Sequence, residues 1–364
     1  MVIRHFIWLF LASFTVVHLP DSDGYQRSQP LPSSTPGISA TPAGTPQLPI
    51  SSGLSPSPSP TAVSQAAASY PIPTDRDSLV KLQIFLDLHT FSPGEINGRW
   101  SDLCANALQK YQSANDQSGT GQISERLQQE FAKLTPYTSY QARAEDLQWV
   151  GKSPLNPAAQ ALLKKLPYPS LIDFVAERFH TNKDFLRSLN PRRNLGKLRP
   201  GDTLQVPNVT PFQIESIKPA EDTAPKPQFG GRSIKIDTKR KSLDLIEGEK
   251  VIASFPITPG SKQLPAPVGT WKIVKISFFP FFRWDRAMLL HGRRSGDYHN
   301  IPPGPRNEVG IAWVGLNKKG IGIHGTNNPD AIGRTASHGC IRLTNWDVAR
   351  LALAVTQEAK VEIF

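Results

Sequence analysis

Eleven prolines fall between Pro30 and Pro73, in a stretch that holds no Asp, Glu, Lys or Arg. With Ser-Pro-Ser-Pro-Ser-Pro at 55–60 and few large apolar side chains, this segment cannot bury enough surface to offset the entropy of ordering it. It reads as a disordered, partly extended linker over residues 25–74. The chain is thereby divided into a short leader and a folded remainder, and 364 residues leave room for two or three compact domains after it.

The leader carries Arg4 and His5, then an apolar run from Phe6 to Val17 broken only by Ser13 and Thr15, then Pro20 and Asp21. The run is shorter than the roughly 20 apolar residues a membrane span needs, and its length suits the core of an export signal. Residues 1–24 are therefore expected to be a signal peptide or, if uncleaved, a signal anchor. That anchor is the one membrane contact expected. Only Cys104 and Cys340 are present, which rules out a disulfide scaffold. A formal charge of +11 suits nucleic acid, anionic lipid or anionic wall material alike. Export to the periplasm or cell envelope selects the wall, and no nucleic-acid motif stands in the chain.

Leu79, Leu82 and Leu86 share one helical face, and Leu103, Ala107, Leu108 and Tyr111 share another, with a turn at Gly94-Glu95-Ile96-Asn97-Gly98 between them. This pattern, continued through Gly121-Gln122-Ile123-Ser124 and Leu127, resembles a three-helix peptidoglycan-binding domain, expected over 75–136. Asn97 stands where that family usually has Asp. Cys104 on the second helix reads as a small buried hydrophobe. Further on, Phe174-Val175-Ala176-Glu177-Arg178-Phe179, Leu189-Asn190-Pro191 and Leu198 through Pro207 resemble the second half of a LysM module, a small α+β unit expected over 164–209. Its usual opening is replaced by Tyr168-Pro169-Ser170-Leu171. A second linker is expected at 218–230.

From residue 231 to 364 the pattern turns to short strands: Ile234 and Ile236, Leu243 and Leu245 on either side of polar positions, a hairpin turn at Glu247-Gly248, and further strands at 271–276, 310–314, 320–324, 340–343 and 360–364. One helix is expected from Asn345, as N-cap, to about Glu358. The expected fold class is multidomain: a mainly-β, sandwich-like C-terminal domain behind a small three-helix domain and the α+β module.

Chemistry concentrates in Gly322-Ile323-His324-Gly325-Thr326-Asn327-Asn328 and Ser337-His338-Gly339-Cys340-Ile341-Arg342-Leu343. A thiol nucleophile needs a base, backbone donors for the oxyanion, and a group that orients the base. His324 ends one strand and Cys340 begins another, so the two can face each other. Gly339 leaves the backbone open, so that the N–H groups of Gly339 and Cys340 can converge on an oxyanion. Arg342, two residues on, points to the same face as Cys340 and suits either a substrate carboxylate or the task of keeping the thiolate environment positive. A catalytic zinc is set aside, since it takes three protein ligands and no nearby acid or second Cys completes a set. No cofactor is expected. His291 and His299 lie in a Phe/Arg-rich insertion, 278–303, read as a loop over the cleft with both histidines at the surface.

These residues resemble the L,D-transpeptidase catalytic domain, whose His-Gly-Thr and Ser-His-Gly-Cys-Ile-Arg pattern stands intact, supported by Thr258-Pro259-Gly260, Pro267 through Trp271 and Gly304-Pro305-Arg306-Asn307. The resemblance implies that Cys340 attacks a tetrapeptide stem, releases D-Ala and passes the acyl group to an amine. It also implies that His324 is the base, held by the carbonyl of Gly325, with Ser337, His338, Gly339, Arg342 and Thr326 around the substrate. Peptidoglycan stem peptides, with glycan as a further ligand, are the expected partners. Water as acceptor would make the same site an L,D-carboxypeptidase, and an inactive domain would leave a wall-anchoring protein.

Overall fold

Ile234 and Ile236 are buried while Lys235 between them is exposed, and this period of two builds an amphipathic strand. The computed structural model describes residues 69–117, 119–222 and 226–364; the leader and the linker up to residue 68 lie outside the described residues. Three helices come first: α1 (Arg76–Leu88), α2 (Asp102–Ala114) and α3 (Glu125–Ala132). Asp75, Ser101 and Ser124 cap them, each side chain accepting a hydrogen bond from a backbone N–H three residues on. Leu82, Leu86, Cys104, Leu108, Leu127 and Phe131 form their shared core.

Next comes a β-α-α-β unit: β1 (Tyr137–Gln141), α4 (Leu171–Arg178), α5 (Lys183–Leu189) and β2 (Thr203–Pro207), with β1 antiparallel to β2. The strand that pairs with β2 thus lies upstream of the expected 164–209 boundary. A 29-residue connection separates it from α4 (residues 142–170), and no local turn signal marks the pairing.

The C-terminal part contains β3 (Arg232–Asp237), β4 (Ser242–Glu247), β5 (Lys250–Pro256), β6 (Gly269–Phe278), β7 (Phe282–Trp284), α6 (Arg286–His291), β8 (His299–Ile301), β9 (Ala312–Leu316), β10 (Gly322–His324), β11 (Ile341–Arg342), α7 (Asn345–Ala354) and β12 (Lys360–Ile363). In place of the two stacked sheets expected of a sandwich, one curled sheet of nine strands runs β11-β10-β9-β6-β12-β3-β4-β5. Long β6 joins the halves: Gly269–Lys272 pair with β12, and Ile273–Phe278 pair with β9 on the opposite edge. A bulge at Gly315/Leu316 bends β9 where it meets β6.

Three expectations are corrected. Ala220–Asp222, within the expected 218–230 linker, add a ninth strand on β6, because that edge is left unpaired beyond β12. The 278–303 insertion is not a plain loop: β7 and β8 form an antiparallel ribbon, and Asp285 caps α6 between them. Helix α7 is capped by Thr344, whose hydroxyl accepts from the Asp347 N–H at 3.2 Å, and it stops at Ala354 because Val355 is extended.

The helical segments pack against the curled sheet and share its core, where Val80 and Ile84 join Ile234, Leu245, Ile323, Trp346 and Val361. Buried charge ties them further. Arg350 of α7 donates to both carboxylate oxygens of Asp87 in α1, at 2.8 and 2.9 Å, and His180 lies 3.1 Å from the same carboxylate. His180 also stacks on Trp346, with ring centroids 5.2 Å apart. Among the described residues, no helix is long and apolar enough to cross a membrane.

Candidate active site

Strands β10 and β11 run parallel, with His324 beside Arg342 and Ile323 beside Ile341. Arg342 and His324 therefore share a face, and Cys340 lies in the bend that leads into β11. All three side chains, His324, Cys340 and Arg342, line one cleft of about 790 Å³.

The imidazole is fixed from two sides. His324 Nδ1 lies 2.7 Å from the carbonyl oxygen of Gly325, which accepts its hydrogen and leaves Nε2 as the acceptor. The indole of Trp313 stacks on the ring, centroids 5.5 Å apart and planes 15° from parallel. Both features depend on glycine. A Cβ on Gly322 would lie 2.6 Å from Trp313 Cζ2, and one on Gly325 would lie 2.2 Å from Asn345 Oδ1. Asn345 itself braces the turn, as its Oδ1 accepts from the Ile311 N–H at 3.2 Å and its amide donates to Glu177 at 2.9 Å.

The nucleophile loop is held by the Thr258–Ser261 segment. Arg342 N–H donates to the Thr258 carbonyl at 3.0 Å, Ser337 N–H to the Pro259 carbonyl at 2.9 Å, and Ser261 N–H to the Ser337 carbonyl at 2.9 Å. Gly339 adopts φ +106°, a conformation that side chains rarely allow, and so turns the chain toward Cys340. Cys340 is partly buried, and its thiol points to the Gly320 carbonyl, 3.6 Å away.

Burial lowers His324 to about 3, and the Arg342 charge adds to that while the Gly325 carbonyl opposes it. Burial also raises the Cys340 thiol, against the Gly322 N–H and Arg342, which favour the thiolate. The resting pair is therefore a neutral thiol beside a neutral imidazole. Cations dominate the cleft: Lys275, Arg283, Arg294 and Arg342 line it with one carboxylate, Glu308.

The other expected site residues divide. His338 is exposed and lines the cleft. Ser337 is buried, its hydroxyl donating to the Cys340 carbonyl and accepting from the Gly339 N–H at 3.2 Å, so the Gly339 amide is engaged within the loop. Thr326 does not line the cleft; buried, its hydroxyl accepts from the Asn328 N–H at 3.1 Å and braces the loop. Of the insertion's histidines, His299 stacks on Trp284 at 5.8 Å and neither lines the cleft. Sequence reasoning missed Trp313, Gly322 and Asn345. The Ala312-Trp313-Val314 alternation marks Trp313 as facing opposite to its neighbours, but only the pairing of β9 with β10 places it on His324.

The cleft thus joins a thiol, next to a strand end, with an imidazole pinned on the neighbouring strand, two groups whose chemistry suits nucleophilic attack. Residues 231–363 match the family model of the YkuD L,D-transpeptidase catalytic domain. The YkuD protein of Bacillus licheniformis, named as an L,D-transpeptidase, is 28% identical over 192 residues, covering 53% of this chain and 92% of its own. The L,D-transpeptidase LdtMt1 solved with imipenem aligns at 19% identity and a TM-score of 0.30 over 37% of this chain and 59% of its own. The solved catalytic domain of the E. faecium L,D-transpeptidase aligns at 20% identity and a TM-score of 0.30, over 36% of this chain and 96% of its own.

Proposed function

We propose that this chain is a peptidoglycan L,D-transpeptidase whose nucleophile is Cys340. The observation that carries this reading is that Cys340, just before β11, lines one cleft with His324 of β10 and Arg342 of β11, with His324 Nδ1 held by Gly325. In the first half-reaction Cys340 Sγ bonds to the carbonyl carbon between the L-centre of the diamino acid and the terminal D-Ala, as its proton passes to His324 Nε2. The C–N bond then breaks, the imidazolium returns that proton to the leaving amine, and D-Ala departs from a thioester. An amine of a second stem attacks the thioester, gives its proton to His324, and restores the thiol.

Because both resting groups are neutral, proton transfer accompanies attack on bound substrate; Arg342 favours the developing anionic sulfur. We assign the oxyanion to the Cys340 N–H, since the Gly339 N–H is held by Ser337. Arg294 and Arg342 of the cleft suit the carboxylates of a stem peptide. The same reading has the protein act outside the cytoplasm, with the helical and β-α-α-β segments as its wall-binding parts.

Mass spectrometry after incubation with a carbapenem tests the nucleophile. An adduct on wild type that is absent from Cys340→Ala is the expected result; folded wild type without an adduct contradicts the reading.

A further inference from the structure

Between Leu147 and Ile172 the chain carries three lysines and neither Asp nor Glu. Much of this run is an excursion between β1 and α4, and its stem is stapled. Gly151 N–H donates to the Tyr168 carbonyl at 2.9 Å and Tyr168 N–H to the Trp149 carbonyl at 2.8 Å. Within it, Asn156 caps a short helical turn through the Ala158 N–H at 2.8 Å, and Gln160 Nε2 donates to the Pro154 carbonyl at 2.8 Å. Hydrogen bonds therefore set the shape of this loop, while two of its leucines stay outside: Leu155 is 97% exposed and Leu162 86%. Lys152, Lys164 and Lys165 are exposed around them, and Lys165 Nζ sits 5.2 Å from the Trp149 ring centre.

Exposed leucines on a braced loop, accompanied by lysines and no acid, match the chemistry of a bilayer interface. The apolar tips enter the acyl boundary while the ammonium groups meet lipid phosphate. We propose that residues 147–166 form a docking surface for an anionic phospholipid bilayer. An anionic wall polymer would satisfy the lysines but offers no apolar phase to Leu155 and Leu162, so charge and apolarity together favour lipid. The loop is also joined to the cleft. Trp149 stacks on Phe279, a cleft-lining residue, with centroids 5.9 Å apart, and Leu166 N–H donates to the Pro303 carbonyl at 2.8 Å. Docking therefore brings the rim of the cleft near the membrane surface.

Hydrogen exchange on the full-length protein tests this locally, separately from the apolar run at Phe6–Val17. Vesicles of phosphatidylglycerol and phosphatidylcholine in equal parts should slow exchange in peptides spanning 147–166 by about threefold or more, and phosphatidylcholine alone should not. Leu155→Asp with Leu162→Asp, both at exposed positions, should abolish that protection with exchange elsewhere unchanged. Lys152→Glu with Lys164→Glu should raise the lipid needed for half-protection by about tenfold. Three results overturn the proposal: no protection on anionic vesicles, protection that survives the leucine changes, or protection produced by isolated wall polymer and not by vesicles.

Discussion

Trp313 lies flat on His324, and its indole occupies the space that a side chain at position 322 would need. The ring thus holds the imidazole against the cleft while the Gly325 carbonyl fixes its tautomer. Such a stack contributes about 0.5–1.5 kcal/mol. Trp313→Ala should therefore slow carbapenem acylation of Cys340 by up to about tenfold without unfolding the protein, as read by stopped-flow fluorescence and circular dichroism. Gly322→Ala should cost about 1–3 kcal/mol of stability through overpacking and slow acylation as well. Unchanged acylation in both variants would remove Trp313 from the positioning of His324.

The pH dependence of alkylation follows from burial. The thiol is raised above its ordinary range and the imidazole is lowered to about 3, so the free enzyme holds no preformed thiolate–imidazolium pair near neutral pH. A raised thiol gains its reactive anion only as pH climbs, and the iodoacetamide rate should inflect above the ordinary thiol range with no plateau in acid. Removing the cation in Arg342→Met should move the inflection higher still. An inflection below neutrality would contradict this.

Asp87 joins α1 to the catalytic domain through Arg350 and His180. Burial alone would raise its carboxyl, but His180 and Arg350 overcome that and hold it well below the ordinary range. Its contribution is therefore present above the ordinary carboxylate range and is lost as pH falls below that range through the depressed folded value. Asp87→Asn removes the main partner of the half-buried Arg350 and leaves it Asp347 at 3.5 Å, and urea unfolding should show a loss of about 1–3 kcal/mol.

Glu95, in the turn between α1 and α2, reaches the loop that links base to nucleophile. Burial raises its carboxyl first, and Asp330 of that loop raises it further, with Asn182 and Arg334 opposing. A carboxyl raised in the fold stabilises below its unfolded range and loses that contribution as pH rises through its folded range. Wild type should lose thermal stability between the ordinary glutamate range and mildly alkaline pH, and Glu95→Gln should flatten that slope. A slope unchanged in Glu95→Gln would assign it elsewhere.

Much of the catalytic half was legible because it is local. The alternation around Ile234 and the turn at Gly248 marked strands and hairpin, and the two short motifs lie on paired strands, with Cys340 one residue before the strand it was expected to begin. What escaped depends on contacts distant in sequence. The pairing of Tyr137–Gln141 with Thr203–Pro207 spans more than sixty residues, and the exposed or half-buried side chains of the first strand give no apolar alternation. Asp87, His180 and Arg350 look like surface charge in sequence, yet Asp87 and His180 are buried and Arg350 half-buried, because Asp87 serves as partner to both of the others. Thr326 sits in the signature but braces its own loop.

Transfer through Cys340 is tested most directly by incubating the protein with purified disaccharide-tetrapeptides and analysing products by mass spectrometry. Cross-linked dimers lacking one D-Ala, formed by wild type and absent with Cys340→Ala and His324→Ala, are the expected result. Tripeptide without dimers would show water as the acceptor, and unchanged tetrapeptide with folded wild type would contradict the enzyme reading altogether.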